Sequence, residues 1–370
     1  MQFMIAPSAR LRPSPFFDAT VAEGMKALTT YNHMLMPTSF GRPEEEYWRL
    51  IRDVSMWDVA CERQVELKGP DAAELAQILT VRDLTKFSIG QGKYAPICNH
   101  AGILINDPIV MKIAQDRYWY SIADSNIWFW ARAIAAERSL KVEISEPDVS
   151  PLAVQGPKAE ALVASLCGDW VRELKYFWFR ETSLAGIPLV VARSGWSKQG
   201  GFELYLLDGT QGTKLWNIVR EAGKPWNIAP GAPNLSERIE SGLLSFGGDT
   251  DTNTNPFEVR LGKYVDLGLP DKVIGIEALR RIQKEGPRRH QLGVLLEGSE
   301  PVAPQHQFKW HAISSGGRRL GDLTNCVWSY RLKRNIGFAL ISTEAKPGQA
   351  VEVSMGGRAV AGTLAELPFA

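Results

Sequence analysis

Histidine and cysteine are scarce in this chain, with five of one and four of the other among 370 residues. The cysteines, Cys61, Cys98, Cys167 and Cys326, lie far apart and form no CxxC pair. That spacing argues against a zinc site or a redox motif and for reduced, buried thiols. The histidines are scattered, so no metal is expected. A charge excess is lacking too, since 42 basic residues face 41 acidic ones and leave +1. No global field would draw such a chain onto nucleic acid or an anionic membrane. No apolar run approaches the roughly 18 residues of a membrane span. Residues 1–15 carry two arginines but no stretch apolar enough for a secretory signal. Also absent are GxGxxG, the P-loop, HExxH and GxSxG, so nicotinamide, nucleotide and hydrolytic mechanisms have no motif behind them. The expectation is a cytoplasmic globular protein with neither nucleic acid nor membrane as partner.

What is present is ample apolar material, 45% of residues, and twelve tryptophans. The length fits two or three domains. Buried indoles need hydrogen-bond partners, so most of these tryptophans are expected in the core, with a few left to line a pocket for a flat heterocycle or a cation. Periodicity predicts helices at 43–53, 72–79, 126–137, 158–166, 211–221, 235–244 and 276–284. It predicts strands at 63–69, 94–98, 103–113, 117–123, 141–145, 152–155, 177–183, 189–194 and 201–207. The stretch 247–255 is polar and Gly-rich and reads as a loop. From Arg289 onward the segments 291–297, 306–313, 318–321, 335–340, 350–355 and 358–364 are short and strand-like, which suggests a small all-β C-terminal domain. The fold class is therefore α+β.

Three local features could carry chemistry. In the run 192–205 two strands flank a loop with Gly195, Gly200 and Gly201, and glycines let backbone approach a ligand closely. Glu203 and Tyr205, two apart on a strand, face the same side. A carboxylate can accept two hydrogen bonds from an amino-pyrimidine edge, and an aromatic face can hold a methylated cation. A plain hairpin with polar surface residues is the alternative. Asn106-Asp107-Pro108 interrupts an apolar strand pattern, where polar groups need partners or mark an edge bulge. Arg238, in Glu237-Arg238-Ile239-Glu240, belongs either to an exposed helix face or to a ligand carboxylate.

In chain order, several pieces resemble motifs of the aminomethyltransferase family, whose type member is the glycine-cleavage T-protein. They are Met36-Pro37, Trp57-Asp58-Val59 with 64–69 (QVELKG), 79–84 (LTVRDL), 90–94 (GQGKY), 153–157 (AVQGP), Arg193-Ser194-Gly195 with Gly201-Phe202-Glu203, Arg238-Ile239-Glu240, and Pro256-Phe257-Glu258. Within the family, 31–37, 57–65, 121–125, 192–201 and 239–244 are similar to the branch that demethylates dimethylsulfoniopropionate with tetrahydrofolate as methyl acceptor. The resemblance implies a three-domain cloverleaf arrangement: a folate-binding domain of 1–50 plus 146–275, a second α+β domain of 51–145, and a barrel-like domain of 276–370. It implies that Glu203 hydrogen-bonds the pterin of tetrahydrofolate, that Tyr94, Met36 and Arg238 line or close the channel, and that Ser121, Trp196 and Tyr205 hold a small sulfonium substrate. Asp107 would accept the proton lost from N5. The T-protein carries an acidic pair where this chain has Asn106-Asp107, and an asparagine where it has Ile122, so the resemblance points away from glycine cleavage. A betaine or methoxyaryl demethylase and a non-catalytic folate-binding regulator are the rival readings, and a homodimer is left open.

Overall fold

The computed structural model describes residues 8–302 and 309–369. Two sheets lie face to face with helices outside them, and a closed barrel follows. The six-stranded sheet runs in the order Phe179–Leu184, Ile187–Ala192, Gly201–Leu206, Ser150–Gln155, Ser55–Asp58, Ala229–Gly231, all antiparallel except the last pair. The five-stranded sheet runs Glu143–Ser145, Gln64–Lys68, Arg117–Ser121, Ile109–Ala114, Gly92–Tyr94. The barrel closes through Arg289–Leu296, Arg334–Ser342, Arg318–Ser329, His311–Ser315, Ala350–Met355 and Arg358–Ala365. Among the described residues no helix is long and apolar enough to cross a membrane.

Strand alternation builds the layers. In Gly201–Leu206, Phe202, Leu204 and Leu206 face a core shared with the helices Ala159–Cys167 and Gly212–Ala222. In the other sheet, Val110, Tyr118 and Tyr120 face the helices Ala72–Leu79 and Ile127–Glu137. The opposite faces meet: Met111, Ile113 and Trp119 pack on Phe179, Val190, Ala192 and Tyr205. Glu203 and Tyr205 therefore project into the space between the sheets.

The structure departs from the expected elements at prolines and at one glycine. The predicted strand 103–113 is two strands, Leu104–Asn106 and Ile109–Ala114, in different sheets. Pro108 has no N–H to give a ladder, and Asp107 stands at the break. Pro96 likewise divides 94–98 into Gly92–Tyr94 and Ile97–Cys98. The helix predicted over 235–244 stops at Glu240, and Gly242 takes a left-handed φ of 71° just beyond. The strand beginning at Arg318 is twelve residues long, not four. Of the strand predicted at 306–313, residues 306–308 lie outside the described part, and the observed strand is His311–Ser315. Strand Ser55–Asp58, placed by sequence with the unit 51–145, pairs with Ser150–Gln155 in the six-stranded sheet. The connector 59–63 thus crosses from one sheet to the other.

Candidate active site

A directed chain of hydrogen bonds ties three of the sequence-predicted residues together between the sheets. Gln64 Nε2 donates to Ser121 Oγ at 2.9 Å. The Ser121 hydroxyl engages the Tyr205 hydroxyl. The Tyr205 hydroxyl donates to Glu203 Oε2 at 3.0 Å, where the Ser194 hydroxyl also donates at 2.5 Å. Both bonds fall on Oε2, leaving Oε1 unused by these donors. Gln64 and Ser121 sit opposite each other on neighbouring strands, so the register of the five-stranded sheet delivers the chain to Tyr205. Burial raises Glu203 above the ordinary carboxylate range, and the Ser194 and Tyr205 hydroxyls pull it back.

Asp107 stands at the strand break with Tyr94, whose hydroxyl donates to Asp107 Oδ2 at 2.6 Å. Burial pushes Asp107 up to about 7, and the Tyr94 bond opposes the rise. Its neighbour Asn106 is fully buried and structural. The Asn106 amide donates to the Ala123 carbonyl and the Ser125 hydroxyl and accepts from the Ala123 N–H. Tyr94 packs edge-on to Tyr264 with centroids 4.8 Å apart.

The glycine loop is held by a buried amide. Gln155 Nε2 donates to the Ser194 carbonyl at 3.0 Å, and Ser197 Oγ donates to Gln155 Oε1 at 2.8 Å. A Cβ on Gly195 would lie 2.1 Å from that Nε2, so only glycine fits. From the other side Glu237 Oε1 accepts from Lys198 N and Gln199 Nε2, both at 2.9 Å.

Trp196 and Arg238 form a separate group. The indole N–H of Trp196 donates to the Leu244 carbonyl at 3.3 Å, and the Arg238 guanidinium lies 5.8 Å from its ring centroid. Among the described residues no ring contact joins Trp196 to Tyr205, and the Trp196 indole N–H is directed to Leu244. Arg238 is 2% exposed and bonds Asp249 Oδ2 at 2.6 Å. Its charge is paired with a side chain of the protein. Met36 is half-buried on Met34–Ser39 and packs with Tyr31 against the core of the six-stranded sheet.

Sequence reasoning missed Glu62. Its carboxyl is driven well above the ordinary range by burial, then by Glu203 and Asp107. It in turn acts on the Tyr31 and Tyr205 hydroxyls. Glu62 thus feels the charges of Glu203 and Asp107. Gln64 and Ser194 were also missed as site residues; both belong to motif-bearing stretches, but nothing in their spacing marks them.

Comparison with known proteins follows the two-part architecture. Residues 16–268 match the GCVT N-terminal domain, and residues 289–370 match the glycine cleavage T-protein C-terminal barrel domain. The chain is 41% identical over 350 residues to dimethylsulfoniopropionate demethylase DmdA of Ruegeria pomeroyi, covering 94% of each. It is 28% identical to an aminomethyltransferase of Symbiobacterium thermophilum, covering 97% of each. Among solved structures, glycine cleavage system aminomethyltransferase T of Bartonella henselae superposes with a TM-score of 0.81 at 20% identity, covering 97% of this chain and 98% of that one.

Proposed function

The chain belongs to the glycine-cleavage T-protein family, and we propose that it moves a methyl group from dimethylsulfoniopropionate to tetrahydrofolate, yielding methylthiopropionate and 5-methyltetrahydrofolate. The observation that carries this reading is 41% identity across 94% of both chains to a demethylase, against 28% to an aminomethyltransferase. The site fits it. Tetrahydrofolate presents N–H donors on its pterin, and the space between the sheets offers acceptors, Glu203 Oε1 and the Asp107 carboxyl foremost. When bound, tetrahydrofolate supplies N5 as the methyl acceptor.

The chain's own contribution is positional. A sulfonium leaves as a neutral thioether, so no strong acid is required. Holding the acceptor nitrogen in line with the methyl carbon, about 3–3.5 Å away, is the larger task. Glu203, fixed by Ser194 and Tyr205, orients the pterin edge. Tyr205 turns its ring to the donor while its hydroxyl serves Glu203. Ser121 fixes Tyr205 from behind. Asp107, near 7, accepts the proton that N5 must lose as the new C–N bond forms and the C–S bond gives its electron pair to sulfur. Trp196 and Arg238, linked to Leu244 and Asp249, brace the loop. Met36 and Tyr94 border the acceptor side.

The test is to incubate the protein with tetrahydrofolate and, separately, dimethylsulfoniopropionate, a betaine and a methoxyaryl compound, and to assay 5-methyltetrahydrofolate. Product from the sulfonium is expected. Product only from one of the others, or from none, overturns the proposal.

A further inference from the structure

Glu237 holds the glycine loop from a helix outside both sheets. It lies on Leu235–Glu240 and is 1% exposed. Its Oε1 takes three donors at 2.9 Å: the Lys198 N–H, the Gln199 side-chain amide and the Ser241 hydroxyl. Its Oε2 is buried with no hydrogen-bond partner. From the loop a path of hydrogen bonds leads on to Glu203. The Gln199 N–H donates to Ser197 Oγ at 3.3 Å, and Ser197 Oγ donates to Gln155 Oε1 at 2.8 Å. Gln155 Nε2 donates to the Ser194 carbonyl at 3.0 Å, and Ser194 Oγ donates to Glu203 Oε2 at 2.5 Å. Gly195 and Gly200 in this loop take left-handed φ values of 146° and 76°. Glycine backbone has little stiffness of its own, so these bonds set the shape of the loop. The helix is anchored in turn. Glu240 accepts from the Tyr47 hydroxyl at 2.6 Å and the Ser329 hydroxyl at 2.5 Å, and Ser236 Oγ donates to the Trp328 carbonyl at 2.9 Å. Trp328 and Ser329 belong to the barrel strand Arg318–Ser329.

We propose that Glu237 is a positioning residue for the pterin acceptor: by clasping the loop 194–199 it holds the Ser194 hydroxyl on Glu203 and ties that geometry to the barrel. The inference rests on the tetrahydrofolate reading above, and Glu237 acts through Ser194. Without the clasp the loop regains the freedom of its glycines, and the Ser194 hydroxyl divides its time between Glu203 and water. Glu203 then keeps one firm donor, Tyr205, in place of two, and its carboxylate can turn. Orienting the pterin is a positional task, so a turning carboxylate loosens tetrahydrofolate and slows the in-line step together. Ser121 and Tyr205 stand on strands of the two sheets, outside the loop, so the donor side is left alone. Gln in place of Glu237 retains an oxygen for the three donors, whereas Ala retains none of the bonds.

The experiment is a double-mutant cycle of Glu237→Ala with Ser194→Ala. It is read by calorimetric binding of tetrahydrofolate and by steady-state methyl transfer from dimethylsulfoniopropionate. In the wild-type background Glu237→Ala should weaken tetrahydrofolate about tenfold and lower kcat, with the KM for the sulfonium unchanged. In the Ser194→Ala background the same change should weaken it about threefold or less, because the bond it protects is already gone. Glu237→Gln should restore most of the affinity. Thermal melting monitors the fold. If Glu237→Ala does not fold, Gln199→Ala, which removes one donor from the loop side, takes its place in the cycle. Losses that add across the cycle, a Gln variant as weak as Ala, or a sulfonium KM that rises as much as that of tetrahydrofolate overturn the proposal. A wild type that binds tetrahydrofolate but forms no 5-methyltetrahydrofolate from the sulfonium sinks the demethylase reading instead, and the binding cycle still decides the role of Glu237.

Discussion

Replacing Tyr205 with Phe tests the chain of hydrogen bonds without disturbing the ring. The hydroxyl is one of two O–H donors on Glu203 Oε2, at 3.0 Å beside Ser194 at 2.5 Å. A hydrogen bond to a charged acceptor contributes about 1.5–3 kcal/mol. Withdrawing it from the ionised carboxyl raises the titration of Glu203 further. The direction is fixed, because burial already raises Glu203 and the Tyr205 hydroxyl is one of the groups that lowers it. If ionised Glu203 orients the pterin, tetrahydrofolate affinity in Tyr205→Phe should reach its plateau at correspondingly higher pH, with about a tenfold or greater loss below that point. Tetrahydrofolate titrations across the neutral range, followed by intrinsic Trp fluorescence, give the profile, and thermal melting confirms the fold.

Tyr205→Ala then isolates the ring. It removes the same hydroxyl and the aromatic face as well, a face worth about 0.5–2 kcal/mol toward a desolvated cation. Ala should share the shifted folate profile of Phe and add a loss in methyl transfer that Phe lacks. A Phe variant with a wild-type folate profile would refute the relay. Phe and Ala variants with equal rates of methyl transfer would refute the role of the ring.

Much of the fold was legible because it depends on local pattern. The helix at 72–79 and the strand at 350–355 fall where periodicity puts them, and the turn-rich C-terminus announced a β-domain that closes as a barrel. Where expectation failed, backbone chemistry won over side-chain pattern: apolar alternation ran through Pro96 and Pro108, but a proline cannot donate to a ladder. The strand from Arg318 runs on past its expected end at 321, and a Cβ on Gly321 would lie 2.4 Å from the Leu340 carbonyl, so glycine is there for close strand approach. At the site, the two-residue spacing of Glu203 and Tyr205 was readable, and both do share a face. The electrostatic influence of Asp107 and Glu203 on Glu62 was not. It arises only when a connector, a strand break and a strand from two sheets converge, and no window of sequence contains all three.

The ion pair that ties the short helix Leu235–Glu240 to Asp249 in the loop 247–255 can be tested through stability. Arg238→Met strands Asp249, which is 0% exposed and also accepts from Ser245 N and Thr324 Oγ1. A loss of about 3–5 kcal/mol in chemical denaturation is expected, with most of it recovered when Asp249 is replaced by Leu as well. A single-variant loss no larger than that of an ordinary surface change would show that the pair is dispensable. Asp107 gives the converse case, a group that destabilises as it ionises. Its folded value of about 7 lies above the ordinary 3.8, so between those values the folded chain holds a proton that the unfolded chain has released. The resulting stability is fully present below about pH 4 and fades as pH rises through about 7. Asp107→Asn removes that dependence. Measured against the wild type, the variant should gain on the order of 2–4 kcal/mol between those limits, while its methyl transfer falls for want of a proton acceptor. A wild-type-minus-variant stability difference that stays flat with pH would mean that Asp107 ionises freely, and water rather than this carboxylate would then be the better candidate to take the proton from N5.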